Sequence, residues 1–185
     1  MNGSDINATD FIGDTALILA AENGHSRVVK ILLEQNDVNP NAEPHMVPIW
    51  AAAINGHEEI VKILLEREDV NPDDVHTRGG QTSLSWAAEN GHSGVVKKPL
   101  DRKGVNLDHV DPKYGRTPLL WAAETGHEGV VKILLEREDV NPDHMDSKYG
   151  RTPLSWAAGN GHSEVVKIIL ERADVNPDRT DTFCG

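Results

Sequence analysis

Cysteine, aromatic residues and long apolar runs are all scarce in this sequence. Its 185 residues include one cysteine, Cys184, which excludes an intramolecular disulfide and a zinc site built on several cysteines. Apolar runs fall well short of the roughly 18 residues that a membrane-spanning helix needs, and the N-terminus lacks the apolar segment of a signal peptide. These absences predict an intracellular, cytoplasmic protein.

Basic residues are also in the minority. Lysine and arginine number 18 against 30 aspartates and glutamates, which gives a net charge of −12. Binding to a nucleic-acid backbone needs clustered lysine and arginine, so no nucleic-acid partner is expected. The same acidic surplus argues against binding to an anionic membrane surface.

What the sequence does contain is a repeated unit, which is clearest at residues 115–143 (GRTPLLWAAETGHEGVVKILLEREDVNPD). Thr117 is placed to cap a helix that has Pro118 at its first position, and Gly126 supplies the left-handed residue that ends this helix. A second helix is predicted to start near Glu128, with one broad apolar face and a turn-forming Asp-Val-Asn-Pro-Asp after it. Neither helix can bury its apolar face alone, so each unit needs neighbours.

The neighbours are present in the same chain. A turn glycine followed by histidine recurs at spacings of 32, 35, 35 and 35 residues: Gly24, Gly56, Gly91, Gly126 and Gly161. We therefore predict one repeat domain over residues 1–185. Its five units span about 13–41, 45–73, 80–108, 115–143 and 150–178, with partial units at both ends. Such a chain is either part of a longer array or an array without dedicated caps.

The repeated words identify a family. TPLLWAAETGH at 117–127, TPLSWAAGNGH at 152–162 and the recurring Asp-Val-Asn resemble the ankyrin repeat. The length of the loops between units is similar to that of long-fingered repeats strung in arrays in large fungal proteins. The resemblance implies an all-α helix–turn–helix solenoid with short β-hairpin-like finger loops, and a non-catalytic protein that binds other proteins. The histidine that usually follows Thr-Pro-Leu is missing from all five units, which puts its backbone hydrogen bond in doubt.

Unit three departs most from the pattern. Lys98 and Pro99 stand where unit four has Ile133 and Leu134. A proline inside a helix removes a hydrogen bond and costs roughly 3 kcal/mol, so we expect this helix to be kinked and this unit to be weak. Sequence decay tolerated by the flanking units and a functional hinge are both open interpretations.

Two further expectations concern apolar side chains. Trp50 is shifted by one position relative to the other tryptophans, which turns it by about 100° towards the concave surface, whereas Trp86, Trp121 and Trp156 are expected inside the stack. The last helix keeps an apolar outer face. That face should be partly exposed, covered by the tail around Phe183, or paired with a second molecule by self-association.

Two patterns resemble metal sites, but neither is complete. The turn histidines occur once per unit, and stacked helices lie about 8–10 Å apart, so these side chains cannot converge on one ion. Asp139, Asn141 and Asp143 have the first spacings of a calcium loop, but Gly150 stands where the final glutamate belongs. Turn capping and backbone hydrogen bonding explain both patterns, so no metal, cofactor or catalytic residue is predicted.

The remaining candidate is a binding surface. The resemblance places partner contacts at the finger tips and on the exposed side of the first helices. The residues at those positions are Arg78, Gln81, Glu89 and Asn90 in unit three, Lys113, Tyr114, Arg116, Glu124 and Thr125 in unit four, and Lys148, Tyr149, Arg151 and Asn160 in unit five. Tyrosine and arginine dominate interface energetics, so the two Tyr–Arg pairs are the strongest candidates.

Two functions stay open at this point. The chain either binds a partner protein on this concave face or is a structural spacer without a specific ligand. The near-identity of units four and five favours the spacer, while the variation among units one to three favours binding. Each tyrosine also has a structural interpretation, in which it packs on the adjacent finger.

Overall fold

The computed structural model describes residues 5–41, 46–76, 79–100, 102 and 104–179. Within those residues the chain forms ten α-helices in five pairs. They are α1 (Ala16–Glu22), α2 (Ser26–Leu33), α3 (Pro48–Ile54), α4 (Glu58–Leu65), α5 (Ser83–Glu89), α6 (Ser93–Leu100), α7 (Pro118–Thr125), α8 (Glu128–Leu135), α9 (Pro153–Gly159) and α10 (Ser163–Leu170). Each first helix packs on the next first helix and each second helix on the next second helix, which makes a two-layer solenoid.

The first helices begin and end where the sequence predicts. The Thr117 hydroxyl accepts a hydrogen bond from the backbone N–H of Leu120, and Pro118 takes the first helical position. Gly126 ends this helix in the left-handed region, at a φ of +82°. Small residues such as Ala122 and Ala123 are fully buried, which lets neighbouring first helices approach closely.

The finger loops contain less strand than expected. Thr9 pairs with Thr15 and Val75 with Thr82 as isolated antiparallel bridges, and no longer strand forms in the described part of the chain. The finger turns of units four and five are held mainly by the Asp111 and Asp146 side chains, which accept hydrogen bonds from backbone N–H groups of the turn.

The turn histidines connect each unit to the one before it. The Nε2–H of His127 donates to the carbonyl of Glu89 at 3.0 Å, and His162 donates to that of Glu124 at 2.9 Å. His57 and His92 make the same contact with Glu22 and Ile54. The interpretation of these histidines as backbone-binding turn residues is confirmed.

Arginines after the second helices make a second set of connections. Arg67 donates to the carbonyl of Leu33 at 3.1 Å and Arg102 to that of Val70 at 2.9 Å. Arg172 donates to the carbonyl of Val140 at 2.9 Å. These side chains bind carbonyls of the preceding unit at the end of its second helix (Leu33) or in the loop that follows it (Val70 and Val140).

The aspartate-rich loops form a third connection. The carboxylate of Asp108 accepts the backbone N–H of Asn141 at 2.8 Å, and that of Asp143 accepts the N–H of Asn176 at 2.9 Å. Within one loop, the Asn141 side chain accepts the N–H of Asp143 at 3.0 Å. Turn capping therefore explains the spacing that resembles a calcium loop.

Asp108→Asn is expected to stabilise the protein at neutral pH. Burial raises the pKa of the Asp108 carboxyl above its ordinary value of 3.8, partly offset by the Asn141 hydrogen bond. Because the folded state holds the proton more tightly, this group contributes stability at low pH that is lost as the pH rises through the raised pKa. The side-chain amide oxygen of asparagine can still accept the backbone N–H of Asn141, and the variant avoids the cost of burying the Asp108 carboxylate charge.

Urea unfolding at several pH values would test this prediction. The stability difference between the variant and the wild type should grow as the pH rises from about 3.8 towards neutrality. A difference that does not change with pH would show that the charge of Asp108 has no effect on folding.

Helix α6 continues through Pro99, so the expected disruption is confined to its end. The helix is eight residues long, as are α4, α8 and α10, and Pro99 is its penultimate residue. Few helical bonds follow a proline at this position, so the helix keeps its length although the bond from residue 99 to the Val95 carbonyl is lost. Lys98 forms a salt bridge with Glu58 of the preceding unit at 3.0 Å. The weakness of unit three stays a prediction.

Both ends of the array present partly exposed apolar residues. In α10, Val165 and Ile169 are buried while Leu170 is 50% exposed. In α2, Val28 and Ile31 are 45% and 52% exposed. The exposure predicted for the last helix is confirmed at Leu170. Phe183 lies outside the described residues, and self-association stays a prediction.

Candidate functional site

The first helices and the fingers enclose a groove of about 620 Å³. It gathers both tyrosines and all four tryptophans of a chain that has only eight aromatic residues of the Phe, Trp and Tyr types. Charged side chains of both signs complete the lining. The lining residues are Trp50, His76, Gly79, Gln81, Trp86, Glu89, Lys113, Tyr114, Arg116, Trp121, Glu124, Lys148, Tyr149 and Trp156.

Buried aspartates fix the fingers that carry the tyrosines. The Asp111 carboxylate accepts the backbone N–H groups of Lys113, Tyr114 and Arg116, at 3.0, 2.7 and 3.0 Å. Asp146 holds the finger of unit five in the same way. Successive N–H groups directed at one carboxylate lock the turn, so the ring above it is held in place.

Each tyrosine packs edge-on against the tryptophan of its own unit. The ring centroids of Tyr114 and Trp121 are 5.6 Å apart, and those of Tyr149 and Trp156 are also 5.6 Å apart. Trp156 also donates its indole N–H to Asp146 at 2.6 Å. Tyr149 remains 37% exposed, so the ring both supports the finger and faces solvent.

Arg116 is buried, although its position in the repeat predicted an exposed binding residue. Its side chain is 7% exposed and forms a two-pronged salt bridge with Glu124. The guanidinium carbon lies 4.5 Å from the ring centroid of Trp121 and 4.6 Å from that of Trp156. Arg116 therefore connects units four and five from within, because its planar cation fits between two indoles beside a carboxylate.

Arg116→Lys is expected to lower the free energy of unfolding by about 1 kcal/mol, because an ammonium cannot form the two-pronged contact or stack on the indoles. Guanidinium chloride unfolding would measure it. Arg137→Lys is the matched control, since Arg137 pairs with Asp139 at the surface with 44% of its side chain exposed. The control should stay within about 0.5 kcal/mol. Equal effects of the two changes would contradict a packing role for Arg116.

Unit three has a different finger. Gly79 and Gln81 stand 35 residues before Tyr114 and Arg116. The Gln81 amide donates to the Glu89 carboxylate at 2.8 Å, in place of the arginine contact. The groove continues from Trp86 to Trp50, whose rings meet edge-on at 5.5 Å.

Most of the predicted binding residues line the groove, and the other described ones lie elsewhere. Eight of them line the groove: Gln81, Glu89, Lys113, Tyr114, Arg116, Glu124, Lys148 and Tyr149. Arg151 lies beside it, with its guanidinium carbon 4.7 Å from the Trp156 ring centroid. Asn90, Thr125 and Asn160 instead donate to carbonyls at the ends of first helices: those of Trp86, Trp121 and Glu124. Arg78 lies outside the described residues.

The tryptophan positions agree in part with the sequence interpretation. Trp50 lines the concave groove, as predicted, although it is only 6% exposed. Trp121 and Trp156 are buried, at 6% and 8% exposed, as expected for residues inside the stack. Together with Trp86, however, they also line the groove, which was not predicted. His76, which stacks on Trp50 at 4.3 Å, was also missed. Tryptophan recurs every 35 residues at Trp86, Trp121 and Trp156, one helical turn after a finger. This repetition could have predicted the surface from the sequence.

A family model described as "Ankyrin repeats (3 copies)" matches the chain at residues 1–76, 40–106 and 84–181. The chain belongs to the ankyrin repeat family. Ankyrin repeats are generally protein–protein interaction modules and are typically not catalytic. A search of curated proteins found no match to this chain. Among the described residues, no helix of this ankyrin solenoid is long and apolar enough to cross a bilayer.

Proposed function

We propose that this ankyrin array is a non-catalytic scaffold that binds another protein along its aromatic groove. The observation that carries the proposal is the concentration of tryptophan and tyrosine in one groove. The fingers beside this groove also carry lysine and arginine. Interfaces favour tryptophan, tyrosine and arginine, whereas exposed lysines alone would not distinguish this face from the rest of the surface.

Rigidity supports the same proposal. The rings are held by Asp111 and Asp146 and by edge-on packing on tryptophan, so binding would require little ordering of the fingers. A partner would make its first contacts with Tyr149 and Lys148, which are both exposed. The setting that we propose is the cytoplasm.

A second candidate function is a structural spacer. The near-identity of units four and five favours it, because a specific interface usually needs distinct surfaces. Nearest-neighbour packing alone would keep such an array folded.

Affinity capture with three versions of the chain would separate the two candidates. The test variant is Tyr114→Ala/Tyr149→Ala, which removes both rings and leaves the buried Arg116 in place. The control is Lys132→Ala, an exposed residue of α8 outside the groove. Circular dichroism must first show that all three are folded.

We expect a partner that binds the wild type and the control and is lost with the test variant. A partner lost equally with Lys132→Ala would place the interface elsewhere. If no protein depends on the two tyrosines, the scaffold proposal fails at this groove and the spacer function is favoured.

A further inference from the structure

We propose that the unit-three part of the groove binds an arginine side chain of the partner protein, with the guanidinium over the Trp86 ring and beside the Glu89 carboxylate. This inference rests on the proposed protein-binding function and specifies the chemistry of the partner at one end of the groove.

In units four and five the chain covers its own tryptophans. Tyr114 packs edge-on against Trp121, and the Arg116 guanidinium lies over the Trp121 ring. Tyr149 and Arg151 cover Trp156 in the same manner. As a result, Trp121 and Trp156 are only 6% and 8% exposed.

Among its described residues, unit three lacks both covering groups. Gly79 occupies the tyrosine position and Gln81 the arginine position, and Trp86 is accordingly more exposed than its two counterparts. Among the described residues, and leaving out the chain neighbours of Gly79, a Cβ built there would meet only the Gln81 Oε1 at 3.6 Å, which is ordinary contact.

The carboxylate that would pair with an arginine is nevertheless retained. Glu89 is the counterpart of Glu124, which pairs with Arg116 in unit four. Within the described part of the chain, Glu89 has the neutral Gln81 amide as its partner and no salt bridge. An indole face and a carboxylate without a cation together fit a planar guanidinium.

Charge complementarity favours the same occupant. The chain has a net charge of −12, which attracts basic segments. Arg116, which also lines the groove, is already paired with Glu124 and therefore opposes an incoming arginine little.

A short peptide can test the site directly. The probe is acetyl-Tyr-Gly-Arg-amide, which supplies the two missing groups at the spacing of Tyr114 and Arg116. The control peptide carries citrulline, a neutral isostere, in place of arginine. Binding is followed by NMR at the indole N–H signal of Trp86, which is assigned with Trp86→Phe.

We expect a saturable shift of that signal with the arginine peptide and an affinity about tenfold weaker with the citrulline peptide, since a charge-assisted contact is roughly twice as strong as a neutral one. Glu89→Gln should weaken only the arginine peptide. Equal affinities for the two peptides would overturn the inference.

A graft offers an independent test. Gly79→Tyr/Gln81→Arg gives unit three the finger groups of unit four, so the chain would fill the site itself and peptide binding should be lost in a folded protein. Gly79→Ala, which leaves the slot open, should retain binding. Retention of arginine-dependent binding by the graft would also overturn the inference.

The two proposals can fail separately. If the peptide shows no preference for arginine but capture of a partner still depends on Tyr114 and Tyr149, only the unit-three inference fails. If the peptide binds as expected but no partner depends on the tyrosines, the arginine site stands and the interface over units four and five fails.

Discussion

Replacing Pro99 with leucine is expected to raise the free energy of unfolding by about 3 kcal/mol. Leucine restores the N–H that helix α6 lacks for the carbonyl of Val95, one turn earlier. It also restores the side chain of the corresponding positions in neighbouring units, where Leu64 and Leu134 are fully buried. Guanidinium chloride unfolding would measure the gain.

The matched control makes the opposite change in the regular unit. Leu134→Pro should lower the free energy of unfolding by about 3 kcal/mol or more, because it removes the helical bond and a buried leucine together. Hydrogen exchange would show whether the gain from Pro99→Leu is concentrated in α6. If Pro99→Leu changes nothing while Leu134→Pro destabilises, unit three has adapted its packing to the proline and is not weak.

Gly126→Ala is expected to cost about 2–3 kcal/mol of folding free energy. The residue has a φ of +82°, where a Cβ costs about 1–2 kcal/mol. That Cβ would also lie 2.6 Å from the His162 ring, which must move away. Moving the ring weakens its hydrogen bond to the Glu124 carbonyl, worth about 1 kcal/mol. Thermal and denaturant unfolding would measure the sum.

Gly161→Ala separates the two contributions. Gly161 has a similar φ of +78°, but a Cβ there meets no atom within 4 Å among the described residues. It should therefore show the backbone cost alone, about 1–2 kcal/mol. The difference between the two variants measures the contact between histidine and the preceding turn. Equal costs would mean that this contact contributes nothing to stability.

The sequence predicted the helices well because their signals are local. Thr117 and Pro118 mark a helix start, Gly126 marks its end, and the apolar spacing that follows marks the second helix. Each signal lies within a few residues of its effect. The same holds for the turn histidines, whose position directly after a turn glycine predicted that they bind backbone groups.

The contacts between units could not be predicted in the same way. Arg116 reads as a surface residue because its carboxylate is eight positions away and one of its two indoles belongs to the next unit. His144 reads as a loop residue, but its ring donates to the carbonyl of Gly115 at 3.1 Å. These partners meet only after the units stack, and no local pattern shows which side chain will cross the interface.

The described hydrogen bonds from turn histidines, and from arginines after the second helices, to carbonyls of a neighbouring unit share a direction that bears on how the protein is made. In each of them the donor lies in the later unit and the acceptor is a carbonyl of the earlier one, as for His92 with Ile54 and Arg172 with Val140. A ribosome releases the earlier unit first. Each new unit therefore leaves the exit tunnel with its acceptors already synthesised, so the array can assemble in the order of translation, one unit at a time.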